Sequence, residues 1–182
     1  MWTKLIHSGL AISLTVATVA PAAPSDANKK TEGKLAITDK PLTVRVELSN
    51  ELRASLEAAA KKASTVSIRL TLEGVVPPVQ RKLIEGIRVY INKPNATQDT
   101  STDDPHFVAA FAFTPDGGQN PENLNLDLTR SLAELSRRGK LDLTKPLQIT
   151  LVAAPAEGIK KLPKNFSVAV GKVSVTAVDQ PK

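Results

Sequence analysis

Most of the chain beyond Pro41 alternates apolar and polar residues with a period of two. In LTVRVEL, residues 42–48, leucine and valine occupy every second position and polar side chains lie between them. This spacing is typical of a β-strand with one buried face. Further runs that predict strands lie at 66–73, 87–91, 107–113, 124–128, 147–154 and 166–178.

Two segments change to the spacing of a helix. The first, SNELRASLEAAAKKA, begins at Ser49, places Leu52 and Leu56 on one face and contains strong helix formers. Ser49 or Asn50 is expected to be its N-cap, because a short polar side chain there accepts a hydrogen bond from a free backbone N–H.

The second helical segment follows the strand at 124–128. Leucines recur along LTRSLAEL at helical spacing, and Asp127 or Thr129 is expected to cap the start of this helix. Gly139 is expected to end it, since glycine readily adopts the left-handed conformation that closes many helices.

This order of elements predicts an all-β domain, an antiparallel β-sandwich with one or two short helices, because crossover helices are few and turn signals are frequent. Aromatic residues make up only 3% of the chain, so aliphatic side chains must fill the core. The core is expected to include Val44, Val46, Ile68, Leu70, Val89, Ile91, Phe111, Leu126, Leu132, Ile149, Leu151 and Val170.

The N-terminus has the features of a secretory signal peptide. Lys4 precedes an apolar stretch, and small residues around Ala22 form a cleavage site, with later cleavage at Ala27 as an alternative. The chain thus divides into a signal peptide (1–22), a flexible leader (23–40) and a sandwich domain (41–179). We expect a secreted or periplasmic protein with no stable membrane span after cleavage; retention of the leader as an anchor is the alternative.

Charge is unevenly distributed along the chain. The net charge is +6, and removing Lys4 with the signal peptide lowers it to +5. No lysine or arginine lies between Lys93 and Arg130, whereas Asp99, Asp103, Asp104, Asp116, Glu122 and Asp127 all do. The basic pairs elsewhere are not interleaved with aromatic residues, so nucleic-acid binding is not expected.

The inventory of catalytic side chains is small. The chain has no cysteine, its only methionine is Met1, and His106 is its only histidine after the leader. A binuclear copper site needs several imidazoles, and no Gly-x-Ser-x-Gly motif presents a nucleophilic serine. We therefore expect no enzyme activity, no cofactor and no metal site; DTSTDDPH lacks the glycine and glutamate of an EF-hand calcium loop.

His106 follows Asp104 and Pro105 at the start of a predicted strand. The structural interpretation is that its ring nitrogens bind backbone groups there, and the alternative is a metal-ligand role. A single histidine without neighbouring ligands favours the structural role.

Three stretches together resemble the C-terminal β-sandwich region of the tyrosinase and polyphenol oxidase family: EGIRVYINKPNATQDTSTDDPHFVAAFAFTP, LNLDLTRSLAELSRRGKLDLTKPLQITLV and FSVAVGKVSVTAV. The family pattern is matched at Arg88–Asn92, His106–Phe113, Leu124–Leu135 and Leu147–Val152. Ala109 stands where the family usually has glycine, a change that a strand tolerates.

The resemblance implies a sandwich that accompanies a histidine-rich copper domain, and no counterpart of that domain occurs in these residues. Phenol oxidation is therefore not carried over. The implied partner is a tyrosinase-like copper oxidase domain, which the sandwich would shield. The candidate interaction surface consists of Asp99, Asp103, Asp104 and Asp116; alternatively, these residues only keep a loop soluble.

A different class of function is an extracellular ligand-binding or glycan-binding module. Such modules commonly bind sugars on exposed aromatic side chains. After the leader, the chain offers Tyr90, Phe107, Phe111, Phe113 and Phe166, and the alternation places most of them inward. An exposed row of these residues would favour this alternative.

Overall fold

The computed structural model describes residues 35–61, 66–113 and 118–179. The predicted signal peptide and leader residues 23–34 lie outside the described residues. The elements are β1 (Leu35–Ile37), β2 (Leu42–Val46), α1 (Asn50–Ala60), β3 (Val66–Val75), a 3-10 turn (Arg81–Leu83), β4 (Ile84–Ile91), β5 (Phe107–Ala112), β6 (Glu122–Asp127), α2 (Thr129–Arg137), β7 (Leu147–Pro155), β8 (Val168–Val170) and β9 (Lys172–Asp179).

The strands form two layers. One is a four-stranded sheet in the order β2-β7-β4-β5, and the other has β6-β3-β9 at its centre. β8 and β1 extend the second layer, because Val76 after β3 bridges to Ala169 of β8, which pairs with β1. The strand pairs among the described residues are antiparallel. The prediction of an all-β antiparallel sandwich with two short helices is confirmed.

A single aliphatic cluster joins the two layers. Ile68 and Leu70 of β3 and Val89 and Ile91 of β4 are fully buried in it. Burying each such side chain contributes roughly 1.5–3 kcal/mol to stability, so this interface dominates the stability of the fold. The predicted core residues that are buried are Ile68, Leu70, Val89, Ile91, Leu132, Ile149, Leu151 and Val170.

The other four predicted core residues, Val44, Val46, Phe111 and Leu126, are only half-buried, and this corrects the prediction. They lie on β2, β5 and β6, which are edge strands. An edge strand has a neighbour on one side only, so its inward side chains keep part of their surface in contact with solvent.

The helices connect the two layers and pack on each other. Ser49 caps α1 as predicted, accepting a 3.2 Å hydrogen bond from the N–H of Leu52. Asp127 and Thr129 were the predicted caps of α2, and the N-cap position is Leu128. The Asp127 carboxylate nevertheless accepts the N–H of Thr129, the first helical residue, at 2.8 Å, while the Thr129 hydroxyl accepts the N–H of Ile68 at 2.7 Å. Gly139, at φ +64°, ends the helix as predicted.

The helices among the described residues are short. α1 has 11 residues and α2 has 9. Neither of them has the length and apolar content that a bilayer crossing requires.

Part of the expected flexible leader belongs to the fold. Residues 35–37 form β1, whose Leu35 pairs with Val170 and whose Ile37 is buried. The C-terminal segment that the sequence predicts as one strand is divided into β8 and β9 at Gly171. The Gly171 N–H donates to the carbonyl oxygen of Glu73 at 2.9 Å, so the chain passes close to β3 at the break.

Gly86 lets β5 approach β4 closely. A Cβ atom at residue 86 would overlap the carbonyl group of Phe111 and lie 3.0 Å from the Cα atom of Ala112. Gly86 also lies where the pairing of β4 with β7 shifts register. A residue without a side chain is therefore required at this point of the sheet.

Candidate functional site

A second apolar cluster lies on the face of the four-stranded sheet that points away from the core. It consists of Tyr90 of β4, Val152 of β7 and Ala96, with Phe107 packed against them. Ala96 belongs to residues 92–106, the segment between β4 and β5, which we call the polar loop. The polar loop therefore covers this outer sheet face.

Tyr90 fixes the middle of the polar loop. Its side chain is fully buried, and its hydroxyl donates a 2.7 Å hydrogen bond to the carbonyl oxygen of Thr100. Its ring meets that of Phe107 edge to face, with 5.6 Å between centroids. Burial raises the pKa of Tyr90 above the usual 10.0, with a partial offset from the positive charge of Arg88. The phenol is therefore held neutral as a hydrogen-bond donor.

The polar loop crosses the sheet toward β2. The guanidinium of Arg88 donates to the carbonyl oxygen of Gln98 at 3.3 Å. The amide of Gln98 in turn donates to the carbonyl oxygen of Asp39 at 3.4 Å, in the turn between β1 and β2. These contacts hold the backbone of the loop and leave the side chain of Asp99 exposed.

Asp104 closes the end of the polar loop next to β5. One carboxylate oxygen is 2.8 Å from the ammonium nitrogen of Lys93, and the other accepts the backbone N–H of His106 at 2.9 Å. Partial burial by itself would raise the pKa of Asp104, but the hydrogen bonds from Lys93 and His106 outweigh it and lower the pKa below the usual 3.8. Asp104 is thus part of the structure of the loop.

His106 bonds to the backbone at the start of β5. Its ring Nδ1 lies 2.8 Å from the carbonyl oxygen of Ile91, so Nδ1 carries the proton that it donates. The carbonyl oxygen of His106 accepts the N–H of the same Ile91 at 2.9 Å. This contact fits the structural role that the sequence predicted.

The four aspartates of the predicted interaction surface have different environments. Asp99 and Asp103 are exposed on the polar loop, whereas Asp104 is half-buried and paired with Lys93. Asp116 lies outside the described residues. The structure therefore leaves Asp99 and Asp103 as the described members of the surface that a partner could contact.

Replacing Asp104 by asparagine is expected to lower the free energy of unfolding at pH 7 by roughly 1 kcal/mol, because the ion pair with Lys93 is lost. Since the folded-state pKa is lowered, the contribution of Asp104 is present above pH 3.8 and is lost as the pH falls through the folded-state pKa. Urea denaturation at several pH values measures this.

Asp103→Asn is the matched control, because the carboxylate of Asp103 is exposed and contacts only its neighbour Ser101 among the hydrogen bonds found. Equal losses of stability in the two variants would contradict the structural role of Asp104.

The aromatic side chains in the described ranges do not form an exposed row. Tyr90 and Phe166 are buried, and Phe107, Phe111 and Phe113 are half-buried. Within those same ranges, His, Cys, Asp and Glu side chains form no group of three or more that could hold a metal ion.

Val79 is a surface feature that the sequence interpretation missed. Its side chain is 80% exposed, while Pro77 and Pro78 before it are buried. Because proline fixes its backbone torsion φ, the turn that presents this valine is stiff. The sequence signal is the Pro-Pro pair itself, because two prolines cannot continue the interior of a sheet.

No protein-family profile and no curated protein matches the chain. Solved structures do match it. Recombinantly expressed latent aurone synthase (polyphenol oxidase) gives a TM-score of 0.52 at 16% identity, over 84% of this chain and 26% of that chain. Latent aurone synthase co-crystallized with hexatungstotellurate(VI) and soaked in H2O2 gives 0.51 at 18% identity, over 82% and 27%.

At these identities the likeness concerns the fold alone. The chain spans about a quarter of the length of the oxidases that it matches. The chain therefore has the fold of one part of a polyphenol oxidase, which confirms the resemblance inferred from the sequence.

Proposed function

We propose that this protein is an exported, non-catalytic domain that packs on a tyrosinase-like copper oxidase domain and shields its active site. The observation that carries the proposal is the similarity of its fold to about a quarter of a polyphenol oxidase. Those oxidases are described as latent, and a domain that covers an active site is one physical cause of latency.

Binding in this role depends on surface area. Two domains joined by a linker have a high effective concentration, and a separate domain must replace that advantage with contacts. A stable complex between separate proteins buries roughly 1,200 Å² or more in total. We therefore expect the partner to contact more than one segment of this surface.

Two features of the described surface suit such contacts. Asp99 and Asp103 are exposed in a stretch without lysine or arginine, and carboxylates there would attract a basic patch on the partner. Val79 presents an apolar side chain on a stiff turn. An exposed apolar group of this kind gains free energy when a partner covers it.

The direct test is an inhibition assay. The full chain is added to an activated tyrosinase-like copper oxidase from the same source, and oxidation of a diphenol is followed spectrophotometrically. We expect at least about a tenfold loss of oxidase activity at saturation, because a bound complex that is covered about ten times as often as it is open retains about a tenth of the activity. The chain alone is expected to oxidise no diphenol.

Two variants test which surface residues contact the oxidase. Asp99→Lys with Asp103→Lys, and separately Val79→Asp, are expected to weaken the inhibition. Asp104 is left unchanged because its ion pair holds the polar loop. Glu157→Lys is the matched control for the aspartate variant, since Glu157 is exposed and follows β7 at the opposite end of the sheet from the polar loop.

Undiminished oxidase activity with the full chain in excess would refute shielding. Unchanged inhibition by the Asp99 and Asp103 variant would refute the acidic surface. Export is tested separately by sequencing the N-terminus of the protein recovered outside the cell, where we expect cleavage after Ala22 or Ala27.

A further inference from the structure

β5 is an edge strand with one partner. It pairs with β4, and none of the strands in the described ranges lies on its other side. The N–H of Phe113, just beyond β5, donates to the carbonyl oxygen of Glu85 at 3.2 Å. Because backbone groups alternate in direction along a strand, the N–H groups of Ala110 and Ala112 point away from β4. They are available to a further strand.

The other edges of the two layers carry features that oppose pairing. β1 has only three residues, and β2 has Arg45 at its fourth position. β6 begins with Glu122 and ends with Asp127, and β9 contacts α1 and β2. Short strands, charged side chains and covering elements are the usual protection of a sheet edge.

Within residues 35–61, 66–113 and 118–179, β5 has none of these features. Its sequence, FVAAFA, contains no charge and no proline. Ala110 and Ala112 are exposed, and their small side chains allow another backbone to come close. Phe111 is half-buried against the core and keeps the strand in register with Ile87. β5 is therefore an ordered strand with an open edge.

The exposed charges at the two ends of this edge are acidic. Asp103 is exposed before β5, and Glu85, whose carbonyl oxygen accepts the N–H of Phe113, is exposed at its other end. Lys93 is paired with Asp104, and Arg88, which lies opposite Ala110 in the middle of the strand pair, donates to the carbonyl oxygen of Gln98. A second copy of this chain would bring carboxylates against carboxylates, whereas a basic segment would be attracted.

We propose that β5 accepts an extended segment of a partner protein as a fifth strand of the four-stranded sheet. The segment has alternating apolar residues and a lysine or arginine on each side of them. Main-chain hydrogen bonds to Ala110 and Ala112 provide the affinity, and the flanking charges select the partner. This mode of binding goes beyond the shielding function and does not require the partner to be an oxidase.

A synthetic peptide tests the edge directly. The probe is Lys-Val-Thr-Val-Thr-Val-Lys, and the comparison peptide has glutamate in place of both lysines. Amide hydrogen exchange of the full 182-residue chain is followed by NMR. We expect the lysine peptide at saturation to slow exchange at Ala110 and Ala112 by at least about tenfold, since each N–H becomes hydrogen-bonded. The glutamate peptide is expected to bind roughly tenfold more weakly.

Variants locate the contact on β5. Ala110→Lys adds a positive charge at an exposed position and is expected to weaken binding of the lysine peptide by roughly tenfold. Ala177→Lys is the matched control, the same change at an exposed alanine of β9, and it is expected to leave binding unchanged. Circular dichroism confirms that both variants are folded.

Several results would overturn the proposal. The first is that the lysine peptide protects amides from exchange at residues outside β5, and the second is that the two peptides bind equally. The third is slow exchange at Ala110 and Ala112 without peptide, which would mean that another part of this chain already covers the edge. A dimer in sedimentation that Ala110→Lys dissociates would identify a second copy as the occupant and would also refute it. None of these readouts uses oxidase activity, so this proposal and the shielding function can fail independently.

Discussion

Gly86→Ala is expected to lower the free energy of unfolding by about 3 kcal/mol or more and to loosen β5 from the sheet. The added methyl group would overlap the carbonyl group of Phe111, and backbone atoms cannot rotate away as a side chain can. β5 would have to separate from β4 and give up ladder hydrogen bonds. Because Phe111 packs against the core, part of the core would also be exposed.

Urea denaturation gives the change in stability, and amide exchange at 109–112 shows whether β5 is affected first. Gly118→Ala is the matched control, because a Cβ atom there would meet nothing closer than 3.7 Å. Its effect is expected to stay within about 1 kcal/mol. If the two variants were equally stable, the close approach of β5 at Gly86 would be disproved.

Tyr90→Ala is expected to lower the free energy of unfolding by about 3–5 kcal/mol. The substitution removes the largest side chain of the second apolar cluster, on the outer face of the four-stranded sheet, and leaves a cavity beneath the polar loop. Phe107 would lose its aromatic neighbour, and the loop would lose its central hydrogen bond at Thr100. Limited proteolysis of the polar loop and urea denaturation measure the two consequences.

Tyr90→Phe separates packing from hydrogen bonding and is expected to cost about 1 kcal/mol. It also tests the titration of Tyr90. Since burial raises the folded-state pKa, the contribution of the neutral phenol is complete below pH 10 and is lost as the pH rises through the folded-state value. The phenylalanine variant should lack this alkaline loss, and an identical loss in both proteins would argue against a buried, hydrogen-bonded phenol.

The sequence was sufficient for the elements whose pattern is local. The alternation around Ile68 and Leu70 depends on neighbours two residues away, and the cap at Ser49 depends on residues three away, so both were predicted correctly. The half-burial of Val44 was not predicted, because a period of two does not distinguish a central strand from an edge strand. β1 was missed because three residues are too few to show a period.

The candidate site depended on contacts between distant residues. Two features of the site arise because residues 92–106 fold over the sheet: Asp104 pairs with Lys93, and Tyr90 lies under the polar loop. No rule of sequence spacing specifies this folding. The backbone contact of His106 fits its structural interpretation, which rested on its place at the start of a strand. The exposure of Val79 depends on the turn that follows β3.

The pairing of β1 with β8 limits when the domain can fold. Leu35 pairs with Val170, and β2 pairs with β7, so each pairing joins strands that are far apart in the sequence. During synthesis the residues up to Val170 must therefore emerge before β1 can pair with β8, and such distant pairings form slowly. Until those late strands appear, the unpaired early strands depend on protection from aggregation.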